Sequence, residues 1–170
     1  SARAILADLA AQGYDVEGVD PRDLETARIR FSVNDYIMLQ AKLPESLRSK
    51  MSHGGTRRGT RRGTPHETDP DFYDEAFHFS AIRAGKTLIA RQPERGDFKT
   101  RDDDYHDVSR APRPAYIAFY LWLASQADSL VHIGAHGTLE WLPGKAVALS
   151  PDCWPAALTR GLPVIYLGSL

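Results

Sequence analysis

Residues 114–134 read PAYIAFYLWLASQADSLVHIG. Proline is tolerated in the first turn of a helix, where its missing N–H has no partner to lose, so Pro114 marks a start. From Ala115 to about Gln126 the side chains are apolar on every side, the pattern of a helix enclosed by other structure rather than one with a wet face. Residues 129–134 then form a short apolar strand that stops at Gly134. Helix followed by strand is the order of an α/β layer, and an α/β fold is the expectation.

The same pattern extends towards the C-terminus. Ser150-Pro151 is expected to cap a helix that runs to Arg160 and ends at Gly161, and residues 163–167 read as a last strand. Upstream lies a polar loop, residues 97–112. Before it, residues 87–92 and Phe77-His78-Phe79 have strand character. Residues 52–70, SHGGTRRGTRRGTPHETDP, hold almost no apolar side chain and repeat GTRR in tandem, the composition of a linker or disordered loop. The first fifty residues read as mostly helical. One amphipathic helix covers residues 2–12, with Ile5, Leu6, Leu9 and Ala10 on one face and Gly13 as its stop. A second runs from Asp20-Pro21 to about Arg30, and two more occupy residues 34–41 and 44–51, separated at Leu43-Pro44. The expected organisation is a helical segment over residues 1–51, an Arg/Gly/Thr-rich linker over 52–75, and a β-α-β layered segment over 76–170.

Composition limits the function classes. A chain of 170 residues with 42% apolar and 25% charged side chains is globular in type, long enough to bury a core. The net charge of −1 favours no polyanionic partner, and the four arginines of the GTRR repeats lack aromatic neighbours on which bases could stack, so no nucleic-acid partner is expected. The single cysteine, Cys153, excludes an intrachain disulfide or a cysteine zinc cage. It has no basic neighbour to activate it and reads as an inert buried thiol. The longest apolar run, residues 115–124, is shorter than the roughly 20 residues of a membrane helix, and the first residues lack the pattern of a secretory signal. No membrane association is expected, and a cytoplasmic location fits best.

Two clusters could carry chemistry. Gly85-Lys86-Thr87 imitates the end of a P-loop, but position 80 is Ser80 rather than glycine, and Thr87 leads into a strand instead of opening a helix. A β-turn between two strands explains these residues, and no ATP site is expected in this chain. His132, His136 and Glu140 recur at a spacing of four, yet Gly134 and Gly137 oppose a helix. A strand ending at Gly134, followed by a glycine-rich turn, would put the cluster in the crevice beyond the carboxyl ends of strands. Taken singly, His132 reads as a core histidine and Glu140 as a surface carboxylate. Together they read as a polar-ligand or metal site, because imidazole and carboxylate bind first-row divalent metals and carry protons near neutral pH. Trp122, Trp141 and Trp154 have flat faces that suit a macrocycle, although core packing explains most tryptophans; only Trp141, beside Glu140, stands out. Tyr105-His106-Asp107 is a further polar group in the long loop, where lids often occur.

Residues 131–155, VHIGAHGTLEWLPGKAVALSPDCWP, resemble the most distinctive stretch of the CobN and magnesium chelatase H family. Supporting pieces follow in the same order: Leu43-Pro44, QPERG at 92–96, YHD at 105–107, AYIAFYLWL at 115–123 and GLPVIY at 161–166. The magnesium branch resembles LEFMPGKQV where this chain has LEWLPGKAV, which favours cobalt. The resemblance implies insertion of cobalt(II), as substrate metal, into the tetrapyrrole hydrogenobyrinic acid a,c-diamide during cobalamin synthesis. ATP would be hydrolysed by separate AAA+ subunits of the CobS and CobT type. In that chemistry Glu140 would be a base or a transient cobalt ligand, with His132 and His136 guiding the metal. Trp141, Lys145, Tyr105 and His106 would contact substrate, Lys145 through a peripheral carboxylate. The chain departs from the family in its GTRRGTRRGT tract, in the ending LGSL where PFIVNDPGE is expected, and in length. It is therefore expected to be a fragment of a larger multidomain subunit, inactive alone. Magnesium insertion into protoporphyrin IX and noncatalytic tetrapyrrole binding are the alternatives.

Overall fold

The computed structural model of the chain describes residues 2–16, 18–53, 67, 69–96, 111–134, 139, 142 and 152–167. Helices and strands are mixed along it. The N-terminal part contributes α1 (Ala2–Ala11), α2 (Asp23–Thr26), β1 (Ile29–Ser32), α3 (Val33–Gln40) and α4 (Glu45–His53). After these come β2 (Phe72–Tyr73), β3 (Ala76–Phe79), β4 (Ala81–Ala84), β5 (Thr87–Ala90), α5 (Pro114–Gln126), β6 (Leu130–Ile133), α6 (Trp154–Thr159) and β7 (Val164–Leu167). β1, β3 and β2 form one antiparallel sheet in that order, β4 and β5 form a hairpin, and β6 pairs with β7 in parallel.

α5 is the centre of the core, as its all-round apolar sequence requires. Every residue from Ala115 to Leu123 is buried. The Phe119 ring meets Phe79 of β3 edge to face at 5.3 Å, and Trp122 lies 5.2 Å from the same ring. Tyr36 of α3 approaches Phe77 edge to face at 4.9 Å, and Leu47 of α4 and Leu158 of α6 complete the cluster. Each large apolar side chain buried in this way contributes about 1.5–3 kcal/mol. A smaller cluster joins Leu6 of α1, Val16 and Ala84 of β4, so the first helix is held through the hairpin.

Two sequence expectations are corrected. The helix expected from Asp20-Pro21 to about Arg30 is only one turn long, and the chain extends into β1 at Ile29. Tertiary pairing decides this: Ile29 aligns with Phe79 and Phe31 with Phe77, burying Phe31 against aromatic partners that a helix could not reach. Asp20 still acts locally, accepting from the Arg22 N–H at 2.9 Å, and Arg22 lowers its carboxyl to about 2. The helix expected from Ser150-Pro151 starts instead at Trp154. Cys153 takes the extended cap conformation, and it is Pro155 that supplies the first-turn proline. α3 begins at Val33, one residue before the expected start, where the Ser32 hydroxyl oxygen accepts from the Asp35 N–H at 3.1 Å and donates to the Asp35 carboxylate at 2.6 Å.

Gly85 sits in the two-residue turn between β4 and β5, where Ala84 pairs with Thr87, so these residues form a hairpin and not a phosphate loop. Its φ is +52°, and an added Cβ would lie 2.9 Å from Asp15 Oδ2 and 3.2 Å from the Asp15 carbonyl oxygen. Gly85→Ala should therefore lose about 1–2 kcal/mol of stability from the left-handed backbone alone, with more from the Asp15 contact. Urea unfolding measures this. An unchanged midpoint would mean that the turn relaxes freely.

α5 has no side-chain cap of its own, because Arg113 precedes Pro114. The acceptor comes from a distant part of the chain. Asp69 takes the Ala115 N–H at 2.9 Å and pairs with Arg113 at 2.7 Å, while Asp71 pairs with the other terminal nitrogen of Arg113. Arg113 also donates from Nε to the Glu94 carbonyl at 2.6 Å and from its backbone N–H to the Arg95 carbonyl at 3.0 Å. Residues 69–71, 94–95 and the start of α5 thus share one polar joint. Burial raises the Asp69 carboxyl above its ordinary value, against the pull of Arg113 and two backbone N–H donors. Burial, together with the nearby Asp69 charge, pushes the Tyr36 phenol up as well.

Candidate functional site at the carboxyl ends of β6 and β7

β6 and β7 run in parallel, so both carboxyl ends open at the same edge. The register pairs Leu130 with Val164, Val131 with Ile165, His132 with Tyr166 and Ile133 with Leu167. Because strand side chains alternate, Leu130, Val164, His132 and Tyr166 share one face. Leu130 packs against the main core, and its N–H donates to the Pro163 carbonyl at 2.8 Å, which roots the strand. Two residues on, His132 is half-buried, with its ring 5.4 Å from that of Tyr166 and inclined at 31°.

The imidazole reaches along the strand towards its end. Nε2 lies 3.9 Å from the position a Cβ would take at Gly134, an ordinary contact distance, so the ring tip lies beside the backbone at the strand end. The Gly134 N–H donates to the Leu167 carbonyl at 3.3 Å, carrying the pairing past the last strand residue. A half-buried imidazole next to a phenol, at a strand end, can bind a metal or carry a proton. Tyr166 is the residue that sequence reasoning missed as a site candidate. The parallel pairing brings it beside His132, and the signal available in advance was its place near the end of the GLPVIY strand.

Of the other expected site residues, His136, Glu140, Trp141, Lys145, Tyr105 and His106 lie outside the described residues. The described residues on either side of Glu140 and Trp141 are firmly seated: Leu139 and Leu142 are both in the core, with the Leu142 N–H donating to the Leu139 carbonyl at 3.3 Å. Among the described residues, no group of three His, Cys, Asp or Glu side chains is arranged to hold a metal ion. Trp122 and Trp154 are core residues, and Cys153 is buried. The QPERG stretch is fixed to α5, since the Tyr120 hydroxyl donates to Gln92 Oε1 at 2.6 Å. No helix among the described residues is long and apolar enough to cross a membrane.

Comparison with known proteins bears on this arrangement. The family described as CobN/Magnesium Chelatase matches residues 1–167. The aerobic cobaltochelatase subunit CobN of Pseudomonas aeruginosa is 38% identical over 95% of this chain, and the magnesium-chelatase H protein of Chlorobaculum parvum is 30% identical over 96%. The chain spans 14% of the length of each. Among solved structures, the catalytic subunit of cobaltochelatase from Mycobacterium tuberculosis aligns with a TM-score of 0.72 and 33% identity, covering 98% of this chain and 16% of that one. With its strand-end histidine set in this shared fold, the chain belongs to the CobN/magnesium chelatase family.

Proposed function

We propose that this chain is part of the large subunit of an ATP-dependent cobaltochelatase that inserts cobalt(II) into hydrogenobyrinic acid a,c-diamide in the cytoplasm. One observation carries the choice of metal: over nearly the same span, identity to the cobaltochelatase relative exceeds identity to the magnesium-chelatase relative. The LEWLPGKAV sequence at residues 139–147 supports the same choice.

The reaction exchanges two ring N–H protons for one divalent metal ion. Glu140 accepts protons from the macrocycle or holds the incoming ion, and His132 and His136 act as transient ligands that replace its water. Trp141 packs on the ring, Lys145 pairs with a peripheral carboxylate, and Tyr105 and His106 contact the substrate. ATP is hydrolysed on CobS- and CobT-type AAA+ partners. The β6–α6–β7 unit belongs to a β-α-β layered segment of a larger multidomain subunit.

The test is metal and ring selectivity. The complete subunit, with its ATPase partners, is offered cobalt(II) with hydrogenobyrinic acid a,c-diamide and, separately, magnesium with protoporphyrin IX, and insertion is followed by absorbance. Cobalt insertion alone is expected. Magnesium insertion would establish the second reading, which the 30% identity to the magnesium-chelatase relative supports. Ring binding without either insertion would leave a noncatalytic binding segment.

A further inference from the structure

The second face of the β6–β7 pair has no part in the proposed site. It consists of Val131 (48% exposed), Ile133 (50%), Ile165 (53%) and Leu167 (51%), four branched aliphatic residues paired across the two strands. Parallel strands occur almost only in sheets with both faces covered. Here the first face is rooted in the core through Leu130, while the second stays half open to water. Single exposed aliphatic residues are commonplace, but four on one face of one parallel pair form a contiguous patch.

We propose that this face is the seat of an amphipathic α-helix supplied by the part of the chelatase large subunit that this chain does not span. Two observations choose that occupant over a second copy of the chain. The four residues expose an apolar area on the order of 400 Å², about half of the 800 Å² per partner that a stable dimer buries. In addition, the relatives carry most of their length outside the matched stretch, whereas a parallel pair takes helices as its usual cover. The helix closes the sheet directly behind His132 and Tyr166, so the strand-end site is fixed from both faces only in the longer polypeptide.

Cysteine accessibility tests this. Ile165→Cys is introduced into the 170-residue chain, and cysteine is placed at the aligned position of the full-length Pseudomonas aeruginosa relative. Maleimide labelling of that peptide is followed by mass spectrometry, natively and in urea. In the 170-residue chain the native rate should approach the urea rate, and in the full-length relative it should be at least about tenfold slower. Ile133→Cys provides a second site on the same face if the first variant fails to fold. Equal, rapid labelling in both proteins would overturn the proposal. So would protection in the 170-residue chain, which with a doubled mass in solution would identify a second copy as the occupant and with a monomeric mass would identify the chain's own residues.

Discussion

Replacing Asp69 with alanine is expected to remove about 1.5–3 kcal/mol of unfolding free energy, the scale of a charge-assisted hydrogen bond, because Arg113 keeps its pair with Asp71 and its bond to the Glu94 carbonyl. The Asp69 side chain is 1% exposed and that of Arg113 11%, so water cannot take over the missing carboxylate's role. The Ala115 N–H at the start of α5 loses its acceptor in the same step. Urea unfolding of the parent and the variant measures the loss. A change below about 1 kcal/mol, the scale of an exposed pair, would show that the joint is solvated in solution.

The same carboxyl gives a pH signature. Its folded value is raised above 3.8 by burial, so the folded chain keeps a proton there that the unfolded chain has already released. In the window just above that value the unfolded state binds fewer protons, and this group's contribution to stability falls as the pH rises through it. Asp69→Asn cannot titrate and should lack that slope. The parent's advantage over Asp69→Asn should therefore shrink as the pH is raised from about 4 towards neutrality. A difference that grows with pH would reverse the assignment and give the Arg113 attraction the larger share.

Glu140→Ala, in the complete subunit with its ATPase partners, is expected to slow metal insertion by about 10² to 10⁴, the usual range for loss of a positioned base. Glu140→Gln keeps the size but not the basicity and should fall in the same range if proton removal is the role. Recovery by Gln would point to positioning instead. Ring affinity, measured by absorbance titration, should change little for either variant, because proton transfer belongs to the insertion step. Near-normal insertion by Glu140→Ala would remove this residue from the mechanism.

Elements with strong local signals were legible in advance. The apolar run of α5 could only be buried, and the short aliphatic strands β6 and β7 fall where their side-chain types put them. β1 was not legible, since Leu24, Ala27 and Arg28 keep a helical period while the aromatic partners that turn Ile29–Ser32 into a strand lie more than forty residues away. The joint at Asp69 escaped for the same reason. It sits in a stretch almost empty of apolar side chains, and nothing near it in sequence announces Arg113. At the candidate site, the strand carrying His132 was expected, whereas Tyr166 becomes a neighbour only through the parallel register. Glu140 and its companions rest on family resemblance, so their roles are tested by activity.

The remote cap on α5 also ties a local amide to a long-range contact. The first turn of α5 closes locally through the Tyr116 and Ile117 N–H bonds to the Arg113 carbonyl, but the Ala115 N–H is bonded to a carboxylate 46 residues upstream. The Ala115 amide therefore reports, through its protection, on the contact between the two segments. In hydrogen exchange it should open together with residues 69–71, and not with the middle of its own helix.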